Sequence, residues 1–230
     1  MLAFDLRREE CSPRDLQTRR SATERRHIMG DRGTRNLVAD ARNYVVNAIR
    51  GVGDVAGAIV DATSGVLVRA LRDTRATGSE LRGLIADTIT GTIHAVAIVG
   101  GEVEAAAGSI MVGTLHGTEQ VGKAGVDAVS ACAAALVKGA ADVGGDVGRT
   151  ARGAVEGAIR GARDIGMTSE QAASAAASGA LKGAGDIGSA ALDQVRNVVT
   201  QTISGVKVVI TESFASDLPD WDMGHRHPAA

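Results

Sequence analysis

Gly139-Ala-Ala-Asp142-Val-Gly144 is followed by Gly161-Ala-Arg-Asp164-Ile-Gly166 and then by Gly183-Ala-Gly-Asp186-Ile-Gly188, each 22 residues after the last. Stepping back by the same interval gives Gly117-Thr-Glu-Gln-Val-Gly122, then degenerate copies ending at Gly100 and Gly78. The next step back lands on Gly51-Val-Gly-Asp54-Val-Ala56, and a step forward lands on Gly205. Units therefore begin at 51, 73, 95, 117, 139, 161 and 183. Two further columns repeat with them. One is apolar: Leu71, Ile93, Leu115, Val137, Ile159, Leu181 and Ile203. The next is mostly basic: Arg72, His94, His116, Lys138, Arg160, Lys182 and Ser204.

A 22-residue period is six turns at about 3.67 residues per turn, close to the α-helical value. Within each unit the apolar positions step by three or four, never by two, which is a helical and not a strand pattern. The resulting stripe runs from Leu37 to Val209 without a charged residue. Its strongest positions are Val55, Ile59, Leu67, Leu71, Ile93, Val99, Leu115, Val121, Val137, Val143, Ile159, Ile165, Leu181, Ile187 and Ile203. From Gly33 to Ile210 there is no proline, the residue that helix interiors exclude most strongly. The expected fold is all-α: long amphipathic helices on a Gly/Ala/Val-rich repeat, either as an extended helix or as an antiparallel helical bundle. A β-solenoid with 22-residue coils is the alternative that the alanine content opposes.

Glycine decides between those forms. Residues 51–204 hold 26 of the 30 glycines, and inside a helix each costs about 1 kcal/mol relative to alanine. Many lie four apart, as do Gly113 and Gly117, Gly144 and Gly148, Gly153 with Gly157 and Gly161, and Gly179 and Gly183. That spacing makes a groove that a second helix can approach closely. The stripe keeps its phase through Gly100-Gly101 and Gly144-Gly145, so the helix is expected to continue there or to hinge briefly. Breaks are expected near 73–80 and 166–170, the latter combining a glycine stop at Gly166 with a capping box from Thr168 to Gln171. As one helix, 37–209 would extend about 260 Å.

Around the repeat, residues 1–32 are Arg-rich and read as a disordered arm, and 211–230 as a disordered tail, leaving 33–210 as the repeat region. Net charge is −2 and the chain has four aromatic residues and two cysteines. No nucleic acid partner is expected from that balance. Catalytic, metal-binding and cofactor-binding residues are expected to be none, with no small-molecule substrate. Gly51 to Ala56 does match GxGxxA, followed by Val66-Leu-Val and Asp73, so a nucleotide-binding βαβ unit is a second alternative. The pattern also belongs to one column of the repeat, and no later strand completes a sheet. The basic column lies four residues before the aspartates, predicting pairs such as Lys138–Asp142 and Arg160–Asp164 on a solvated face. Cys132, beside the stripe, reads as packed and not nucleophilic.

In period and composition, residues 33–210 resemble proteins built on 11-residue amphipathic helical repeats. These include the lipid-surface coats (perilipins, synucleins, apolipoproteins), late-embryogenesis-abundant proteins and the Ala-rich phasins of polymer granules. The resemblance implies a non-enzymatic structural protein whose helices coat an apolar surface (granule, lipid or membrane) or pack with each other. Its alternative is a self-assembling glycine-zipper scaffold. The expected partners are then a lipid or polymer surface, further copies of the chain, or both. The expected location is the cytoplasm, with a peripheral position on a membrane or granule as an option.

Overall fold

The computed structural model describes residues 37–206 except 51–53, 73–75, 77, 124, 202 and 204. The expected arm at 1–32 and the expected tail at 211–230 therefore lie outside the described residues, as does the Gly51–Gly53 part of the GxGxxA match. Apart from one bridge between Ile203 and Val206, the regular structure described is helical. It comprises α1 (37–50), α2 (Val55–Arg72), α3 (Ser79–Ile98), α4 (Val103–Gln120), α5 (Val126–Asp142), α6 (Val147–Ala162), α7 (Ser169–Ile187) and α8 (Ser189–Val199).

One 22-residue unit is one helix and one turn. The final glycine of the repeated motif ends the helix at Gly100, Gly122, Gly144 and Gly166, all with φ between 65° and 77°, whereas Gly78, at φ 56°, is the N-cap of α3. At Gly100 the N–H donates to the Ala97 carbonyl, and the Gly101 N–H donates to that of Val96. This doubly bonded stop is the Schellman motif, which gathers in the last carbonyls of the helix. It recurs at Gly122 with Lys123, at Gly144 with Gly145 and at Gly166 with Met167. The expected continuation through Gly100-Gly101 and Gly144-Gly145 is thus corrected. The apolar phase persists because Val99, Val121 and Val143, the residues before the glycine, are the C-caps and pack against the core at each turn. A stripe that is continuous in sequence is cut into segments in space.

Helix starts are built as locally as the stops. Asp54 Oδ1 accepts from the Gly57 N–H at 3.1 Å, and Asp146 Oδ1 from the Arg149 N–H at 2.9 Å. At α7 the capping box is present in full, Thr168 Oγ1 accepting from the Gln171 N–H and Gln171 Oε1 from the Thr168 N–H. Each cap contributes about 1 kcal/mol.

Short turns fold successive helices back on one another, but the most extensive packing is between alternate helices, α2 on α4 on α6 and α3 on α5 on α7. Two layers result. Within a layer the helices run parallel: Gly113 and Gly117 of α4 face Val60 and Ser64 of α2, in the same order along both helices. Two units, 44 residues, form a hairpin that stacks on the next, as in helical repeat solenoids. Ile85, Ile89, Ile93, Ile110, Met111, Leu115, Leu136 and Val155 fill the core with alanine between them. α8 departs from the scheme. It follows α7 after a single residue, Gly188, and its second half meets the first turn of α6, Gly148 facing Gln194 and Val198.

Candidate functional site

The feature that dominates the described region is the contact made by its glycines. A Cβ at Gly157 of α6 would lie 2.5 Å from the Gly108 carbonyl of α4, and one at Gly153 would lie 2.9 Å from the Glu104 carbonyl. At Gly113 it would come within 2.6 Å of the Val60 carbonyl, and at Gly91 within 2.6 Å of the Val38 carbonyl. Gly179 abuts the Ser130 carbonyl, and Gly183 would sit 2.6 Å from that of Ala134. Main chain meets main chain at all of these places, so any side chain there must push two helices apart.

The equivalent position in successive units reads Asn47, Arg69, Gly91, Gly113, Ala135, Gly157, Gly179 and Gln201. α3 is the first helix with a described helix two places before it, and there the column turns from polar and bulky to Gly or Ala. Asn47 is exposed, and Arg69 is exposed and stacks over the Tyr44 ring, 4.5 Å from its centroid. Small size thus follows contact.

Other residues singled out from sequence fall into distinct places. Gly117 would meet Ser64, and Gly161 the Leu115 side chain at 2.8 Å. Gly148 makes only ordinary contact with α8, and Gly144 faces open space because it is a helix stop. Of the stripe, Ile59, Leu67, Leu71, Ile93, Leu115, Val137 and Ile203 are buried, while Ile159, Ile165 and Leu181 are half-buried at the core margin. Val55 and Ile187 are exposed at helix ends. Gly91 was missed because its partner in the four-residue spacing is Ala95; its place in the 22-residue column identifies it.

The motif aspartates also reach across a layer. His116 Nε2 lies 2.9 Å from Asp164 Oδ2, and Lys138 pairs with Asp186. Both pairs span 48 residues, two units plus one helical turn, so Lys138–Asp142 and Arg160–Asp164 are not the pairs formed. Further same-layer ties run from the Asp146 N–H to Glu104 Oε1 at 2.8 Å, and from Lys123 Nζ to the Ala76 carbonyl at 2.6 Å. All except Ala76 are partly exposed, so each tie contributes up to about 1 kcal/mol and chiefly fixes register.

Buried threonines other than Thr63 are satisfied within their own helices: the hydroxyls of Thr88, Thr92, Thr114 and Thr118 donate to carbonyls four residues back. Cys132 is fully buried, and desolvation pushes its thiol up to about 12, only partly opposed by a hydrogen bond with Thr114. Such a thiol is not a nucleophile at neutral pH. Burial also raises the Asp87 carboxyl above the ordinary range. Val66-Leu-Val68 lies inside α2, so the strand that a βαβ unit requires there is not formed. Gly183-Ala-Gly185-Asp-Ile-Gly188, which also fits GxGxxG, forms the last turn of α7 and its C-cap and follows no strand.

Among the described residues no His/Cys/Asp/Glu cluster has metal-binding form, and no helix is long and apolar enough to cross a membrane. What the arrangement can do is hold helices at backbone contact, in fixed register, with polar outer faces. Compared with known proteins, the chain matches no family model, no curated protein and no solved structure.

Proposed function

We propose that this is a non-enzymatic structural protein whose amphipathic helices pack chiefly with each other, forming a preassembled scaffold. One observation carries the reading. The small-residue column is occupied by Gly or Ala in α3 to α7, where a described helix lies two places before, and by Asn47 and Arg69 where none does. Glycines selected for contact within one chain need no external surface to offset their conformational cost. Burial of the stripe favours the same conclusion. A surface coat would have to open the layers to present Ile59, Leu67, Ile93 and Leu115.

The test is far-UV circular dichroism of the full chain across protein concentration, with and without neutral lipid vesicles. The expected result is full helicity without lipid, unchanged by vesicles, with a cooperative melt independent of concentration. Helicity appearing only with vesicles would overturn the proposal in favour of a coat. A melt that strengthens with concentration would replace it with self-assembly.

A further inference from the structure

The basic column that ties helices within a layer finds no acid at α6. His116 takes Asp164 and Lys138 takes Asp186, each 48 residues on. The same step from Arg160 lands on Val208. Its guanidinium lies instead over Gly108 of α4, where an added Cβ would strike it. Glu156, one turn before, is taken by Arg152 at 3.0 Å.

Arg160 does not stand alone. Arg149, Arg152, Glu156, Arg160 and Arg163 follow one another by steps of three and four, which sets them in a row on one face of α6. The row is about 21 Å long, and all four arginines are exposed. The flanking acids are engaged elsewhere: Asp146 caps α6 and Asp164 holds His116. Among the described residues the guanidiniums of Arg149, Arg160 and Arg163 have no partner.

The complementary charge is in the same chain. Residues 212–222, Glu-Ser-Phe-Ala-Ser-Asp-Leu-Pro-Asp-Trp-Asp, carry four carboxylates and no cation. The segment lies outside the described residues, but the point from which it is tethered does not. Val198 Cγ2 stands 3.4 Å from where a Gly148 Cβ would be, at the residue before Arg149. Fourteen residues separate Val198 from Glu212, up to about 45 Å of extended chain. That is twice the length of the row. Asp217 to Asp222 spans about 17 Å when extended, close to the roughly 16 Å of helix from Arg149 to Arg160. Trp221 adds an aromatic face for a guanidinium, the contact that Arg69 already makes over Tyr44. Each exposed ion pair is weak, but a short tether supplies an effective concentration on the order of 1 mM.

We propose that the outer face of α6 is the docking surface for the chain's own acidic segment 212–222. Asp217 lies toward Arg149, and Asp220 and Asp222 lie on Arg160 and Arg163. The segment neutralises this face, so an outside anion binds there only by displacing it.

Trp221 is the only tryptophan, so its fluorescence in the full chain reports the segment alone. Its acrylamide quenching constant should be lower than that of a synthetic peptide of residues 207–230 by about two-fold or more. About 1 M salt, which shortens the screening length to about 3 Å, should abolish the difference. Arg160→Glu with Arg163→Glu should release Trp221 while leaving helicity by circular dichroism unchanged. Adding Asp220→Arg with Asp222→Arg should restore the protection. Parent quenching equal to the peptide's, protection indifferent to salt, or a charge exchange that fails to restore it would overturn the docking. So would protection that grows with protein concentration, which would place the segment on a second copy.

Discussion

The middle of the array and its N-terminal helices carry the same repeat but not the same residues at the same place. In α3, α4, α6 and α7 the inward column is glycine, touching the main chain of the helix two before; in α1 and α2 it is Asn47 and Arg69, with no such helix among the described residues. Glycine is therefore not a compositional habit of this chain. It appears chiefly where a Cβ has no room or where φ is positive, causes that occupy different columns of one repeat; Gly65, Gly83 and Gly185 answer to neither.

The largest effect should come from filling a contact. Gly157→Leu would place a side chain against the Gly108 main chain and should lower stability by more than about 3 kcal/mol, measured by denaturant unfolding. The same change at Asn47 should alter it by less than about 0.5 kcal/mol. A smaller effect is expected at the stops. Gly144→Ala removes no contact but forces alanine to φ 75°, at a cost of about 1–2 kcal/mol. If Gly144→Ala proved as damaging as Gly157→Leu, the division into two columns would fail.

The ion pairs within a layer rank lower still. Lys138→Ala or Asp186→Ala should each cost less than about 1 kcal/mol, with the double variant less than additive. The smallest effect concerns Asp87. Its raised pKa means the folded state holds the proton more tightly than the unfolded one, so this group favours folding at low pH. That contribution is lost as pH rises through its folded value. Asp87→Asn should melt slightly above the parent at pH 7, with the difference vanishing at pH 3. Cys132 provides a separate check: its thiol should resist a maleimide at pH 7.5 in the native protein and react promptly once unfolded.

Much of the fold is legible in the sequence. The 3.67 spacing gives helices, and Thr168 to Gln171 gives a helix start. The four-residue glycine spacing identifies Gly113, Gly117, Gly153, Gly157, Gly179 and Gly183 as contact residues. Gly100 and Gly144 are harder, because a turn closed by a Schellman motif adds the few residues that keep the apolar phase in step. Periodicity alone cannot distinguish one continuous helix from eight short ones when helix and turn together equal the period. The positive φ at the end of Gly-x-x-Asp-Val-Gly makes that distinction. The pairing of Lys138 with Asp186 was likewise hidden, since the nearer Asp142 satisfies the local rule and only the layer geometry brings Asp186 to it.

The most direct test of the account is the thermal melt of Gly157→Leu beside that of Asn47→Leu, two positions in one repeat column. The account predicts that Gly157→Leu lowers the midpoint by roughly 10 °C or more, while Asn47→Leu moves it by less than about 2 °C. Equal shifts in the two variants would contradict it, because small size in that column would then have no connection with helix contact.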